Sequence, residues 1–216
     1  MRTPARHLAL SLLALAAPWA RAGSVIVVAK DAAGAPVADA VAYVLALDSP
    51  VAVAPPAAPV AIIQKDQEFI PYVTPVVVGT RVVFPNRDNV QHHVYSVSPA
   101  KKFEIPLYIG ESTETILFDR PGQVTLGCNI HDWMVAYILV LETPYFAKTG
   151  KDGTAEMPGL PAGHYQLELW HPRLSGKVER TLVIAGAADS EQVVSVTLRP
   201  DRRIRRAPDS GGAAYR

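Results

Sequence analysis

Short runs in which β-branched and other apolar residues alternate with polar ones recur at 24–29, 40–47, 76–84, 91–97, 113–118, 123–126, 136–141, 165–170, 177–184 and 192–198. A period of two sends successive side chains to opposite faces, so each run reads as a strand with one buried face. Turn chemistry separates them at Asp31 to Gly34, Val78-Gly79-Thr80, Arg120-Pro121-Gly122, Lys151-Asp152-Gly153 and Pro161-Ala162-Gly163. Many short strands at this spacing predict an all-β protein built as a sandwich or barrel. Residues 49–59 hold four prolines among alanines and valines, too broken for a strand, and predict a stiff linker with a module boundary near residue 50.

Composition sharpens this picture. Proline supplies 19 of 216 residues and glycine 14, which argues against long helices. The formal charge of +1 and the lack of a basic helix or zinc-finger spacing exclude nucleic acid as the expected partner. At the N-terminus Arg2 and Arg6 precede an apolar run from Leu8 to Ala17 and then Ala20-Arg21-Ala22. That run is far short of the roughly 20 residues of a membrane span, so 1–22 is expected to be a signal peptide cleaved after Ala22 and the mature chain to reside in the periplasm. From Asp201 the sequence is rich in arginine and small residues without apolar periodicity, and 201–216 is expected to be a disordered tail.

The chain has one cysteine, Cys128, which has no internal disulfide partner and lies in Gly127-Cys-Asn-Ile-His131-Asp-Trp-Met134. A thiolate, an imidazole and a thioether within seven positions fit copper: soft sulfur ligands select Cu(I), imidazole suits both oxidation states, and a Cys-His-His plane with a weak axial Met is the blue-copper electron-transfer arrangement. A second histidine must come from another strand, and His92-His93 supplies a pair of which alternation turns only one toward the ion. A binuclear copper site needs a second cysteine, and a multicopper oxidase needs further His-x-His pairs. Zinc could accept two His and a Cys, but has no use for the methionine. The bland alternative is a buried free thiol with Trp133 and Met134 as core.

The segment Phe84-Pro-Asn86-Arg-Asp-Asn-Val-Gln-His92-His-Val-Tyr resembles the first-ligand segment of the cupredoxins, and Cys128-Asn-Ile-His131-Asp-Trp-Met134 resembles the short ligand loop of the amicyanin type. The resemblance covers about 60–142. It implies a Greek-key sandwich over 60–142 holding one type 1 copper through His92, Cys128, His131 and Met134, with His131 as the electron port and an apolar patch of Val90, Ile130 and Trp133, interrupted by Gln91 and Asp132. Asn86 then matches either a family asparagine that braces the ligand loop or a plain turn residue, and His93 stands where the family commonly has asparagine. The longer chain resembles periplasmic proteins of the methylamine-utilisation or plastocyanin-like type.

The opening 24–47 resembles carboxypeptidase-regulatory-like or transthyretin-like sandwiches, whose usual continuation appears only at Thr149-Gly-Lys-Asp152-Gly153 and Gly159-Leu-Pro161-Ala-Gly163-His-Tyr165. This predicts a split β-sandwich of 23–48 and 143–200 with the 60–142 module inserted in one of its loops. The function expected is a periplasmic, monomeric carrier rather than an enzyme, moving single electrons to or from a protein partner such as a dehydrogenase, cytochrome or oxidase. The alternatives are a copper delivery or storage protein and a metal-free adhesive β-protein. His164 and His171 are expected to be turn histidines.

Overall fold

The computed structural model describes residues 23–111, 114–176 and 189–201, and the backbone of 180–185. The expected signal peptide over 1–22 and the expected tail beyond Asp201 lie outside the described residues. In chain order the strands are β1 (Gly23–Asp31), β2 (Val41–Ala46), β3 (Val60–Ala61), β4 (Ile63–Lys65), β5 (Glu68–Ile70), β6 (Val73–Val77), β7 (Thr80–Val83), β8 (His92–Ser98) and β9 (Lys101–Tyr108). They continue with β10 (Ile116–Phe118), β11 (Gly122–Gly127), β12 (Val135–Leu141), β13 (Phe146–Lys148), β14 (Thr154–Leu160), β15 (Gly163–Trp170), β16 (Arg180–Ala185) and β17 (Ser190–Val196). The described chain is an all-β sandwich protein without a helix, so it contains no helix long and apolar enough to cross a membrane.

The strands fall into two sets that no ladder joins among the described residues. In the first, β1 pairs antiparallel with β14 and parallel with β17, while β2 lies between β13 and β15, with β16 beyond. Their facing apolar rows form one core, in which Val25, Val27 and Ala29 meet Val44, Met157, Leu167 and Leu169. In the second set a five-stranded sheet β6-β12-β11-β8-β9 packs with the small sheets β10-β7-β3 and β4-β5. The core there is built on Phe84, Phe118, Leu126 and Ile138 and takes in Cys128 and Met134.

The structure corrects the strand expected over 76–84. The chain runs as β6 beside β12, turns at Gly79 with φ of +88°, and resumes as β7 in another sheet. The handover takes one residue: the Val78 amide donates to the Leu141 carbonyl of β12, and the Gly79 amide to the Phe118 carbonyl of β10. Strands β3, β4, β5, β9, β13 and β14 lie outside the runs expected as strands. The longest of these, β9, reads Lys-Lys-Phe-Glu-Ile-Pro-Leu-Tyr because it closes the edge of its sheet, where charge and proline protect an unpaired rim. Residues 49–59 form no strand.

Candidate metal centre

Two elements meet at one end of the five-stranded sheet. Strand β11 ends at Gly127, which pairs with Tyr95 of β8. Glycine lets the two strands meet closely there: a Cβ would sit 2.9 Å from Cζ of Tyr95 and push its half-buried ring aside. Cys128 therefore enters the 128–134 loop directly beside β8. The loop closes on itself through the Met134 amide, which donates to the His131 carbonyl at 2.9 Å.

Strand β8 begins with the histidine pair. Its register against β9 shifts between His92, opposite Tyr108, and Val94, opposite Ile105. This bulge re-aims side chains at the strand end. His92 is fully buried and turns Nδ1 toward the loop, 3.1 Å from Nδ1 of His131 and 4.0 Å from Sγ of Cys128. His131 Nδ1 lies 3.6 Å from the same sulfur. His93 is also buried but goes the other way, its Nε2 2.9 Å from Oε1 of Glu104 on β9.

The three donors His92, Cys128 and His131 all lie within 4.8 Å of one another. A first-row ion bonded at about 2.0–2.1 Å to nitrogen and about 2.3 Å to sulfur needs its donor atoms about 3–4 Å apart. The observed separations meet that requirement, and the donor chemistry suits copper. Met134 is buried in the same core cluster as Cys128. His131 is half-buried with its ring 5.2 Å from that of Trp133. Ile130, next to His131 in the chain, is 50% exposed, and Val90, two positions before His92, is 39% exposed.

The electrostatics favour a deprotonated sulfur. Burial pushes the Cys128 thiol up, but the His92 ring and the backbone N–H groups of His93 and Ile130 outweigh it and hold the thiol below its ordinary range. For His92 burial opposes the imidazolium, yet Cys128 and Asp88 together raise the ring above its usual value. Oδ2 of Asp88 lies 2.6 Å from His92 Nε2. This pairing fixes the tautomer with Nε2 protonated and leaves the Nδ1 lone pair for an ion.

Asp88 was absent from the residues picked out by sequence. The available signal was its position four residues before His92 in a segment already marked. Asn86 takes the turn role. Its Nδ2 donates to the Val90 and Tyr108 carbonyls at 2.8 and 3.0 Å, and its Oδ1 accepts from the Asp88 amide at 2.9 Å. It thus braces the loop leading into His92, and these bonds do not reach the 128–134 loop. His171 is a turn histidine, its Nδ1 accepting from the Arg173 amide, and His164 pairs with Asp48.

No protein-family model matches the chain, and no curated protein matches it. Among solved structures it is similar to a purple cupredoxin from Nitrosopumilus maritimus, at 23% identity over 38% of this chain and 99% of that one, with a TM-score of 0.35. It is also similar to a reduced single-substitution variant of amicyanin, at 21% identity over 46% of this chain and 99% of that one, with a TM-score of 0.37. A copper-containing nitrite reductase from Thermus scotoductus is similar at 27% identity over 53% of this chain but 28% of its own length, with a TM-score of 0.38.

Proposed function

We propose that the chain is a type 1 copper protein of the periplasm that carries single electrons between protein redox partners and is not an enzyme. One observation carries this reading: a buried thiol and two imidazole nitrogens, drawn from a strand and a separate loop, converge at separations of 3.1 to 4.0 Å. In this reading His92, Cys128 and His131 surround the ion and Met134 supplies the weak fourth ligand. Copper, when bound, supplies the one-electron couple.

The chain's own residues do the rest. Against burial, the His92 ring and the His93 and Ile130 amides hold the Cys128 thiol below its ordinary range, which eases the loss of its proton to a metal. His92 is locked by Asp88 on one side and by a packed strand on the other, which limits movement when charge changes. His131 is the half-buried ligand and the exit for the electron, beside a rim of Ile130 and Val90 where a donor or acceptor protein would press. The proposal extends to the organisation of the chain: 23–48 and 143–200 form one split sandwich, 49–59 is the connector, and 60–142 is the inserted copper module. The confinement of every ladder to one set or the other supports it.

The test is metal analysis, optical spectroscopy and voltammetry on the purified protein. One copper per chain, an intense visible charge-transfer band and a reversible couple are expected, with the band lost in Cys128→Ser. Tight Cu(I) binding without a reversible couple would replace the carrier by a copper delivery or storage protein. No copper uptake would leave a metal-free β-protein.

A further inference from the structure

The carboxylate beside His92 also binds the β4–β5 hairpin, whose Gln64 is already tied to the same segment by backbone bonds to Pro85 and Arg87. Oδ2 of Asp88 contacts His92 Nε2 at 2.6 Å and also accepts from the Gln67 amide at 2.9 Å, while Oδ1 accepts from the Asp66 amide at 2.6 Å. Asp66 and Gln67 are the two loop residues of the β4–β5 hairpin, between the paired Lys65 and Glu68. Both are non-glycine residues at positive φ, 55° and 58°, a conformation that crowds the Cβ against the backbone. Charge-assisted hydrogen bonds from backbone N–H groups to a carboxylate offset the cost of that crowding. The side chain of Asp88 is 10% exposed and that of His92 is fully buried, so neither the bond nor the charge is dissolved in water.

We propose that Asp88 is a positioning residue whose negative charge, anchored by the β4–β5 hairpin, biases the metal centre toward its oxidised state. The reasoning rests on the copper reading above. A carboxylate at the far nitrogen of a ligating imidazole fixes the ring's direction and makes its near nitrogen a stronger donor. The same full charge, held behind the ring in a partly dry site, stabilises the more positive ion. Both effects act on Cu(II) more than on Cu(I). The hairpin's part is to immobilise the carboxylate: with two amides on its oxygens, Asp88 has little freedom to swing away when the charge at the centre drops.

Two variants separate charge from structure. Asp88→Asn keeps an oxygen for His92 and removes the negative charge, and Asp88→Ala removes both. Each is loaded with copper, and the midpoint potential is measured beside the visible band and the thermal midpoint. Asp88→Asn should keep the band and shift the Cu(I)-to-Cu(II) preference about tenfold toward Cu(I), a rise of about 59 mV for one electron. Asp88→Ala should shift it further the same way and alter the band as the ring loosens. If Asp88 serves only to close the hairpin, thermal stability falls in both variants while the Asn variant's potential stays put; that result overturns the proposal. Should Asp88→Asn fail to fold, an unchanged or lowered potential in Asp88→Ala overturns it equally. A wild-type protein that takes up no copper removes the copper reading itself, and this proposal with it.

Discussion

At the scale of single residues the ground beneath the metal centre is polar, buried and closely accounted for. Tyr108, opposite His92 on β9, donates its hydroxyl to the Phe84 carbonyl and accepts from Nε2 of Gln64. Its own carbonyl holds Asn86. Gln64 is fully buried, and its Oε1 has no partner. Burial chiefly, aided by the charges of Cys128 and Glu111 and opposed by the Gln64 bond, pushes the Tyr108 phenol up to about 12 from its ordinary 10.0. Between pH about 10 and 12 the unfolded phenol has lost its proton while the folded one keeps it, so stability is intact below that window and falls through it. Ultraviolet titration should therefore resolve a tyrosinate with a midpoint near pH 12 that is missing in Tyr108→Phe, and that variant should lose stability less steeply above pH 10. The same substitution removes one bond each from the Phe84 carbonyl and Gln64 Nε2, which stay bonded to each other at 3.0 Å, at a cost of about 0.5–1.5 kcal/mol near neutrality. A variant with an unaltered alkaline titration would show that Tyr108 is not the shielded phenol.

At the scale of elements, the β4–β5 hairpin shows local sequence overruled by a distant group. A two-residue loop with both residues at positive φ ordinarily calls for Asn-Gly, and here Asp66-Gln67 stand in its place. Gln67→Gly keeps the backbone amide that Asp88 needs and removes the Cβ penalty, so chemical denaturation should find it more stable by about 1 kcal/mol. A neutral or destabilising result would mean that the Gln67 side chain makes a compensating contact. The hairpin also marks where the sequence stops being legible. Alternation or a β-branched apolar run made β1, β2, β8, β11, β12 and β15 readable, because each of these has at least one buried face. It failed for β4 and β5, three residues each, and passed over edge strand β9, where Lys101, Lys102, Glu104 and Pro106 break up the apolar residues. It ran β6 and β7 together, because both are apolar and only Gly79 separates their sheets. In the centre, sulfur and nitrogen spacing sufficed to nominate Cys128, His131 and the histidine pair. The role of Asp88 depended on a hairpin more than twenty residues away in sequence, which no local pattern contains.

At the scale of the whole molecule, β12 joins the two strand sets without pairing between them. Its inward row, Ala136, Ile138 and Val140, belongs to the core around the metal centre. Its outward residues Leu139 and Leu141 would be exposed on an isolated sheet; instead they pack with Val41 and Val73, bordered by Tyr43, Tyr72, Tyr137, Phe146 and Trp170. This explains why β12 reads as a nearly continuous apolar run, Val-Ala-Tyr-Ile-Leu-Val-Leu: a strand covered on both faces has no solvent side to make polar. The run was visible in sequence, but its second cover was not, since Val41 lies almost a hundred positions upstream. Leu139 is 5% exposed, and Leu139→Ala should cost about 2–4 kcal/mol through lost burial and the cavity left behind. Because the deleted atoms face away from Cys128 and His92, copper loading and the visible band should survive. What should change is cooperativity. Calorimetry on the wild type should show a single transition, since each set of strands relies on the other to cover an apolar face, and on Leu139→Ala that transition should broaden or split. Two transitions already present in the wild type would mean that the aromatic-rimmed contact holds the sets in place without making them one folding unit.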